Sequence, residues 1–331
     1  MERINKIPGF VDLQVNGFMG IDFSSPDLNE EKFIAACRMV HDAGTTAFLP
    51  TIVTSPEDVY RKNISLMAQI MDMPEFAGIL PGIHIEGPFL SSESGASGAH
   101  NTDFIRNPDI AFLDDLIKWS RGKIKILTVA ADLDGAEIIT RHAVRNGITV
   151  SLGHHMALEE DLARSVKAGA TALTHLGNGL PNFLPRHVNP IWAGLANDDL
   201  TAMIITDGHH LPASILKSII RAKGVSRSIV VSDQSYLAGM PSGKYIYNGE
   251  EVILEENGLL HNIKRGCMAG STSTMLDCMN HLAFLDFLTT EEMIQVGYHN
   301  PLRLIGVAPE AITSETEIFF NEERGTFSVH E

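Results

Sequence analysis

Hydrophobic and polar positions along this chain fall into two alternating kinds of block. Short apolar, β-branched runs follow turn signals, and longer amphipathic stretches lie between many of them. Eight runs read as strands: residues 9–15, 45–50, 79–85, 124–130, 149–153, 171–174, 202–206 and 229–232. Six stretches read as helices: 29–43, 56–71, 109–120, 135–146, 158–168 and 212–223. Ser55-Pro56-Glu57 places a Ser before a first-turn Pro, a helix start signal. Gly44, Gly147 and Gly169 stand where a C-terminal glycine releases a helix into the next strand. Strict β/α alternation predicts an α/β fold with a parallel sheet. Eight repeats favour a closed (β/α)8 TIM-like barrel over an open doubly wound sheet. No G-x-G-x-x-G follows the first strand, which weakens a dinucleotide site. The barrel is expected over residues 1–308. A helix from about residue 289 leads into a tail, 309–331, with a hairpin around 321–325.

Two inserts break the rhythm, residues 91–107 and 177–197. Both lie on the C-terminal side of a strand, where barrel loops build active sites. Four metal-type or acid residues end strand-like runs: Glu86, His154, His175 and Asp233. One carboxylate and two imidazoles suit a divalent ion with a position left for water, and the second carboxylate suits proton transfer. A lone strand-end histidine is more often structural; four such groups in phase with the strands point to a metal-hydrolase barrel. His84 shares the inward face with Glu86 and reads as an inner layer or a donor behind the ligands. His155 is adjacent to His154 and points elsewhere, towards substrate or behind the site. Asp207, in Thr206-Asp-Gly-His-His210, reads as an Asx-turn residue.

Composition narrows the partners. At 331 residues the chain can fill a barrel of roughly 250 residues with additions. Its net charge of −16 argues against nucleic acid and anionic membranes, which want a basic face. Cys37, Cys267 and Cys278 have no C-x-x-C spacing and read as reduced thiols. No apolar run reaches about 18 residues, and the first residues are not a signal peptide, so a cytoplasmic location is expected.

The chain resembles the amidohydrolase superfamily and, within it, the N-acetylglucosamine-6-phosphate deacetylase family. The resemblance rests on Pro8-Gly-Phe-Val-Asp-Leu-Gln-Val-Asn-Gly17, Gly82-Ile-His-Ile-Glu-Gly-Pro-Phe89, Gly98-Ala-His-Asn101 and Ser151-Leu-Gly-His154. It continues through Ala172-Leu-Thr-His-Leu-Gly-Asn178, Ile205-Thr-Asp-Gly-His-His210, Val231-Ser-Asp233 and Ala269-Gly-Ser-Thr272. The resemblance implies Glu86, His154 and His175 as metal ligands and Asp233 as the acid/base. It implies that His100 polarises the acetamide carbonyl, and that Gln14, Asn178, Gly179, Arg186 and His210 hold an amino-sugar phosphate. It also implies a homodimer. Many amidohydrolases carry His-x-His on the first strand for a second ion; here Gln14 and Asn16 take those places, so one divalent metal is expected. Zinc is the foremost candidate, with iron, manganese and cobalt as alternatives.

Three departures bear on these expectations. Family members carry a longer segment before Pro-Gly-Phe that builds a small β-domain with the tail, so that domain is expected to be missing or reduced here. The loop Gly179-Leu-Pro-Asn-Phe-Leu-Pro-Arg-His-Val-Asn-Pro190 differs from the family's, which makes His187 a rival of Arg186 for the phosphate. Asp233 is followed by Gln-Ser-Tyr-Leu where small residues and Pro are usual. The expected reaction is deacetylation of N-acetylglucosamine 6-phosphate. The alternatives are the galacto epimer, an unphosphorylated N-acetyl sugar, or a silent sugar-binding barrel.

Overall fold

The computed structural model describes residues 4–329 except 248, 265, 314 and 315, and for residue 267 the backbone alone. Eight parallel strands run in chain order: β1 (Val11–Val15), β2 (Ala47–Val53), β3 (Ile83–Glu86), β4 (Ile124–Val129), β5 (Thr149–Leu152), β6 (Ala172–Leu173), β7 (Thr201–Ile205) and β8 (Ser228–Val231). Each is followed by a helix: α1 (Glu30–Asp42), α2 (Glu57–Ile70), α3 (Ile110–Trp119), α4 (Ala136–Arg145), α5 (Glu159–Ala168), α6 (Pro190–Ala196), α7 (Ala213–Lys223) and α8 (Met275–Phe284). Neighbours in the sheet are neighbours in sequence, and the seam closes through a parallel bridge from Val15 to Gln234, just beyond β8. The expected (β/α)8 barrel is therefore the observed one.

Parallel strands are covered on both faces, which is why β1, β3 and β8 are buried along their whole length. The outer faces pack against the helices. Inside, Val11, Leu13, Leu49, Met203, Ile205 and Val231 belong to an apolar cluster with Tyr298, Leu302 and Ile305. Tyr298 and Leu302 come from the helical segment α9 (Thr290–Ile294), Gln295–His299 and α10 (Asn300–Leu304), and Ile305 directly follows it. Asn300 donates to the carbonyls of Val225 and Ser228, so this segment closes the N-terminal end of the barrel beside the start of β8. Polar groups are concentrated at the other end.

Several elements differ from the expectation. The insert 177–197 contains α6, opened by Asn189, whose side chain accepts from the N–H groups of Ile191 and Trp192, with Pro190 in the first turn. Ser55 does not cap α2; its hydroxyl donates back to the Val53 carbonyl. The third strand starts at Ile83 rather than 79, as Pro81 has no N–H to give a ladder. After β8 comes an antiparallel meander, Gly243–Tyr247, Glu250–Leu254, Leu260–Asn262 and Cys267–Met268, which was not anticipated. The tail strands Ile318–Asn321 and Thr326–Ser328 form a three-stranded sheet with Ile4–Ile7, and Phe327 packs edge-on against Phe10. Among the described residues no helix is long and apolar enough to cross a membrane.

Candidate metal centre

Four side chains meet at the C-terminal mouth. Glu86 is the last residue of β3, and His154, His175 and Asp233 each stand two residues beyond the end of β5, β6 and β8. At the latter three the backbone leaves the strand in the left-handed region, with φ of 52°, 28° and 49°. Positive φ occurs at only three other non-glycine residues among those described. Such conformations cost a side-chain-bearing residue roughly 1–2 kcal/mol. Their concentration at these three positions marks the mouth as the strained part of the barrel.

The three ligand-type groups converge. Nε2 of His175 lies 3.0 Å from Glu86 Oε1 and 3.0 Å from His154 Nε2, and His154 Nε2 lies 3.3 Å from Glu86 Oε1. With bonds of about 2.0–2.1 Å, a tetrahedral ion separates its ligand atoms by about 3.3 Å. The triangle is close to that size. His154 Nδ1 donates to the Ala96 carbonyl at 2.8 Å, so its Nε2 carries the lone pair and faces Glu86. Two imidazole nitrogens and a carboxylate oxygen this close need a cation or a shared proton between them. The donor set fits a divalent metal of the zinc type.

The groups around the triangle come from the ends of several strands and the loops that follow them. Gln14 is fully buried and donates from Nε2 to Glu86 Oε1 at 2.8 Å. The register of β1 against β2 shifts between Asp12 and Val15, and this irregularity turns Gln14 towards the site. Asn16 donates to Asp233 Oδ1 at 2.8 Å. His100 Nε2 is 3.6 Å from Glu86 Oε2, and its Nδ1 is held by Thr54 through the hydroxyl at 2.9 Å and the backbone N–H at 3.4 Å. Asn178 turns the chain after His175 by bonding its carbonyl. Gly98 and Gly179 press on the His154 ring from the two inserts; a Cβ at Gly179 would stand 2.8 Å from its Nδ1 and one at Gly98 3.0 Å from its Cε1. Arg186 and His187 are exposed, and no hydrogen bond or ion pair among the described residues joins either to the triangle.

Two groups were not foreseen in their present roles. Asp207 makes the expected Asx turn, accepting from the N–H of His209 and His210, but its second oxygen also takes His210 Nδ1 at 2.6 Å. The i, i+3 spacing in Thr206-Asp-Gly-His-His210 is the sequence signal for that pair. Thr54 had no signal, since it lies 46 residues from His100.

Charge follows from this packing. Burial alone would raise Glu86, but hydrogen bonds from His154 and His175 outweigh it and hold the carboxyl well below its usual range. Burial would lower His175, yet the bond to Glu86 and its charge raise it. Here the imidazole is drawn towards a cation, a part a metal ion would take over. Burial, with repulsion from His154, lowers His100 to about 3, so it is neutral. Burial, with repulsion from Glu86, raises Asp233 to about 6, offset in part by His175 and the Asn16 bond. Burial would raise Asp207 too, but His210 brings it down to about 2.

Comparison with known proteins agrees with this geometry. No family model matches the chain. A Danio rerio N-acetylglucosamine-6-phosphate deacetylase is 32% identical over 325 residues, covering 94% of this chain and 78% of its own length. The chain belongs to the N-acetylglucosamine-6-phosphate deacetylase family. An Escherichia coli O157:H7 relative, an N-acetylgalactosamine-6-phosphate deacetylase, is 29% identical and covers 91% of the chain and 78% of its own length. Among solved structures, the N-acetyl-D-glucosamine-6-phosphate deacetylase of Mycobacterium smegmatis superposes with a TM-score of 0.86 at 25% identity, covering 98% of this chain and 87% of that one. That solved deacetylase carries the same barrel, and this chain spans about three quarters of the length of the two sequence relatives.

Proposed function

We propose that the chain hydrolyses the acetamide of N-acetylglucosamine 6-phosphate, giving glucosamine 6-phosphate and acetate. The observation that carries the reading is the triangle Glu86, His154, His175 with Asp233 beside it, in a chain 32% identical to such a deacetylase. Glu86, His154 and His175 would hold one divalent metal, zinc foremost, which when bound would polarise the acetamide carbonyl and activate a water molecule.

The rest falls to the protein. Asp233, buried and held by Asn16, takes a proton from the attacking water and returns it to the amine as the C–N bond breaks. The Thr54 N–H can only donate, so His100 Nδ1 carries a lone pair and its Nε2–H faces the site. A neutral imidazole in that pose donates to the acetamide oxygen as negative charge grows there. Gln14 keeps Glu86 oriented. Asn178, Gly179 and His210 line the sugar side, with His210 set by Asp207. Arg186 or His187 reaches the phosphate from the 177–197 loop. That loop also exposes Phe183 (95%), Val188 (57%) and Trp192 (53%), an apolar surface that supports a homodimer whose partner covers it. Buried free thiols at Cys37 and Cys278 fit the cytoplasm.

The test is acetate release from N-acetylglucosamine 6-phosphate, its galacto epimer and the unphosphorylated sugar, with metal restored. A strong preference for the first supports the reading. Activity only on the galacto epimer supports the second reading, which the E. coli relative motivates. Asp233→Asn keeps metal and fold and loses at least about 100-fold in turnover. His175→Ala loses bound metal. Full activity in the first variant, or full metal in the second, removes that residue from its role.

A further inference from the structure

Beneath the triangle the barrel holds one more polar layer. His84, Thr128, Ser151 and Thr174 are all buried, on β3, β4, β5 and just past β6. His84 Nδ1 lies 2.9 Å from the Leu13 carbonyl, which can only accept, so Nδ1 carries the hydrogen and Nε2 the lone pair. Nε2 accepts from the Thr128 hydroxyl at 2.8 Å. The Thr128 oxygen in turn accepts from Thr174 at 2.9 Å, and Thr174 from Ser151 at 2.6 Å. A single proton order satisfies every link, from Ser151 through to Leu13.

Each member stands a short step from a group at the mouth. Leu13 precedes Gln14, His84 stands two residues before Glu86, Ser151 three before His154, and Thr174 directly before His175. Thr128 lies in register with Glu86 on one side and Ser151 on the other. Gly153 leaves room for the layer, since a Cβ there would stand 2.7 Å from Thr174 Cβ and 3.2 Å from Thr128 Cγ2. The backbone ladder is short at this place. β6 pairs with β5 through only two residues, Ala172 and Leu173.

We propose that this imidazole–hydroxyl chain sets the relative heights of the strands that carry the metal-type ligands, and that His84 and Thr128 are positioning residues for metal binding. The inference rests on reading Glu86, His154 and His175 as a metal centre. Ligand distances tolerate only about 0.2 Å, so a layer that locks four strands against one another directly below the ligands governs affinity. In a buried site its links reinforce each other.

The test is zinc affinity, read by competition with a chromophoric chelator. Thr128→Val keeps the shape, removes the central hydroxyl, and leaves His84 Nε2 without a donor. Its affinity falls tenfold or more, the range seen when groups behind metal ligands are removed. Thr128→Ser restores the link and stays near the parent protein. Ile126→Val trims a methyl on the same strand in the apolar cluster below and also stays near the parent. Ser151→Ala removes only the terminal donor and shows a smaller loss in the same direction, which decides the matter should Thr128→Val not fold. Parent-like zinc affinity in Thr128→Val, or in Ser151→Ala in its place, overturns the inference, as does an equal loss in Ile126→Val. A parent protein that binds neither zinc nor iron, manganese or cobalt rejects the metal-centre reading itself, and this inference with it.

Discussion

At the residue scale, the mouth of the barrel combines chemistry with backbone strain. Asp233 sits at φ 49° while carrying a buried carboxylate. Removing the carboxylate by Asp233→Gly or Asp233→Ala abolishes the same proton transfer, but only Gly relieves the left-handed backbone. Asp233→Gly is therefore more stable than Asp233→Ala by about 1 kcal/mol, read from urea midpoints. Equal midpoints would show that the conformation carries no strain. Glu86, His154, His175 and Asp233 were legible in the sequence because strand ends fix depth, and depth brought them together. Arg186 was not placed by the same logic. It lies on a loop without periodicity, and the single chain leaves it exposed.

At the scale of elements, strands β1–β8 and six helices were legible within a few residues, since both faces of a parallel strand are apolar and the helices are amphipathic. The misses have physical causes. α6 is seven residues long, too short for a periodic signal, and only Asn189-Pro190 announced it. The meander Gly243–Met268 is half-exposed, so it lacks the apolar density of the barrel strands. α6 also depends on a distant residue. Lys223, at the end of α7, is buried and donates from Nζ to the carbonyls of Gly194 at 3.0 Å and Asn197 at 2.5 Å. A cation at the carbonyl end of a helix is favourable, and here it fastens the loop that carries Asn178 and Arg186. Lys223→Met leaves these carbonyls without their donor and costs about 1–3 kcal/mol in denaturant unfolding. KM rises along with it as the loop loosens. A variant as stable as its parent would assign the loop's order to other contacts.

At the scale of the whole molecule, the barrel closes at a seam between β1 and the end of β8, and a buried acid sits on it. Asp12 Oδ1 accepts from the N–H of Gln14 and of Ser232, each at 3.2 Å, and Oδ2 takes the Ser232 hydroxyl. Gln14 and Asp233 thus both lie next to this junction. Burial raises Asp12 to about 7, against the pull of the Ser232 and Gln14 donors and with a push from Asp233. The folded protein then holds a proton that the unfolded chain has already released above pH 3.8. Between pH 4 and 7 the native state binds more protons, so this group makes stability fall as pH rises; above pH 7 its contribution is constant. Asp12→Asn is neutral throughout and keeps an acceptor for the two N–H groups. With metal saturating in both proteins, its unfolding free energy plotted against pH is flatter across that window than the parent's. At pH 8 it is at least as stable. Parallel curves would mean that Asp12 stays ionised in the fold, with the junction held by a carboxylate after all.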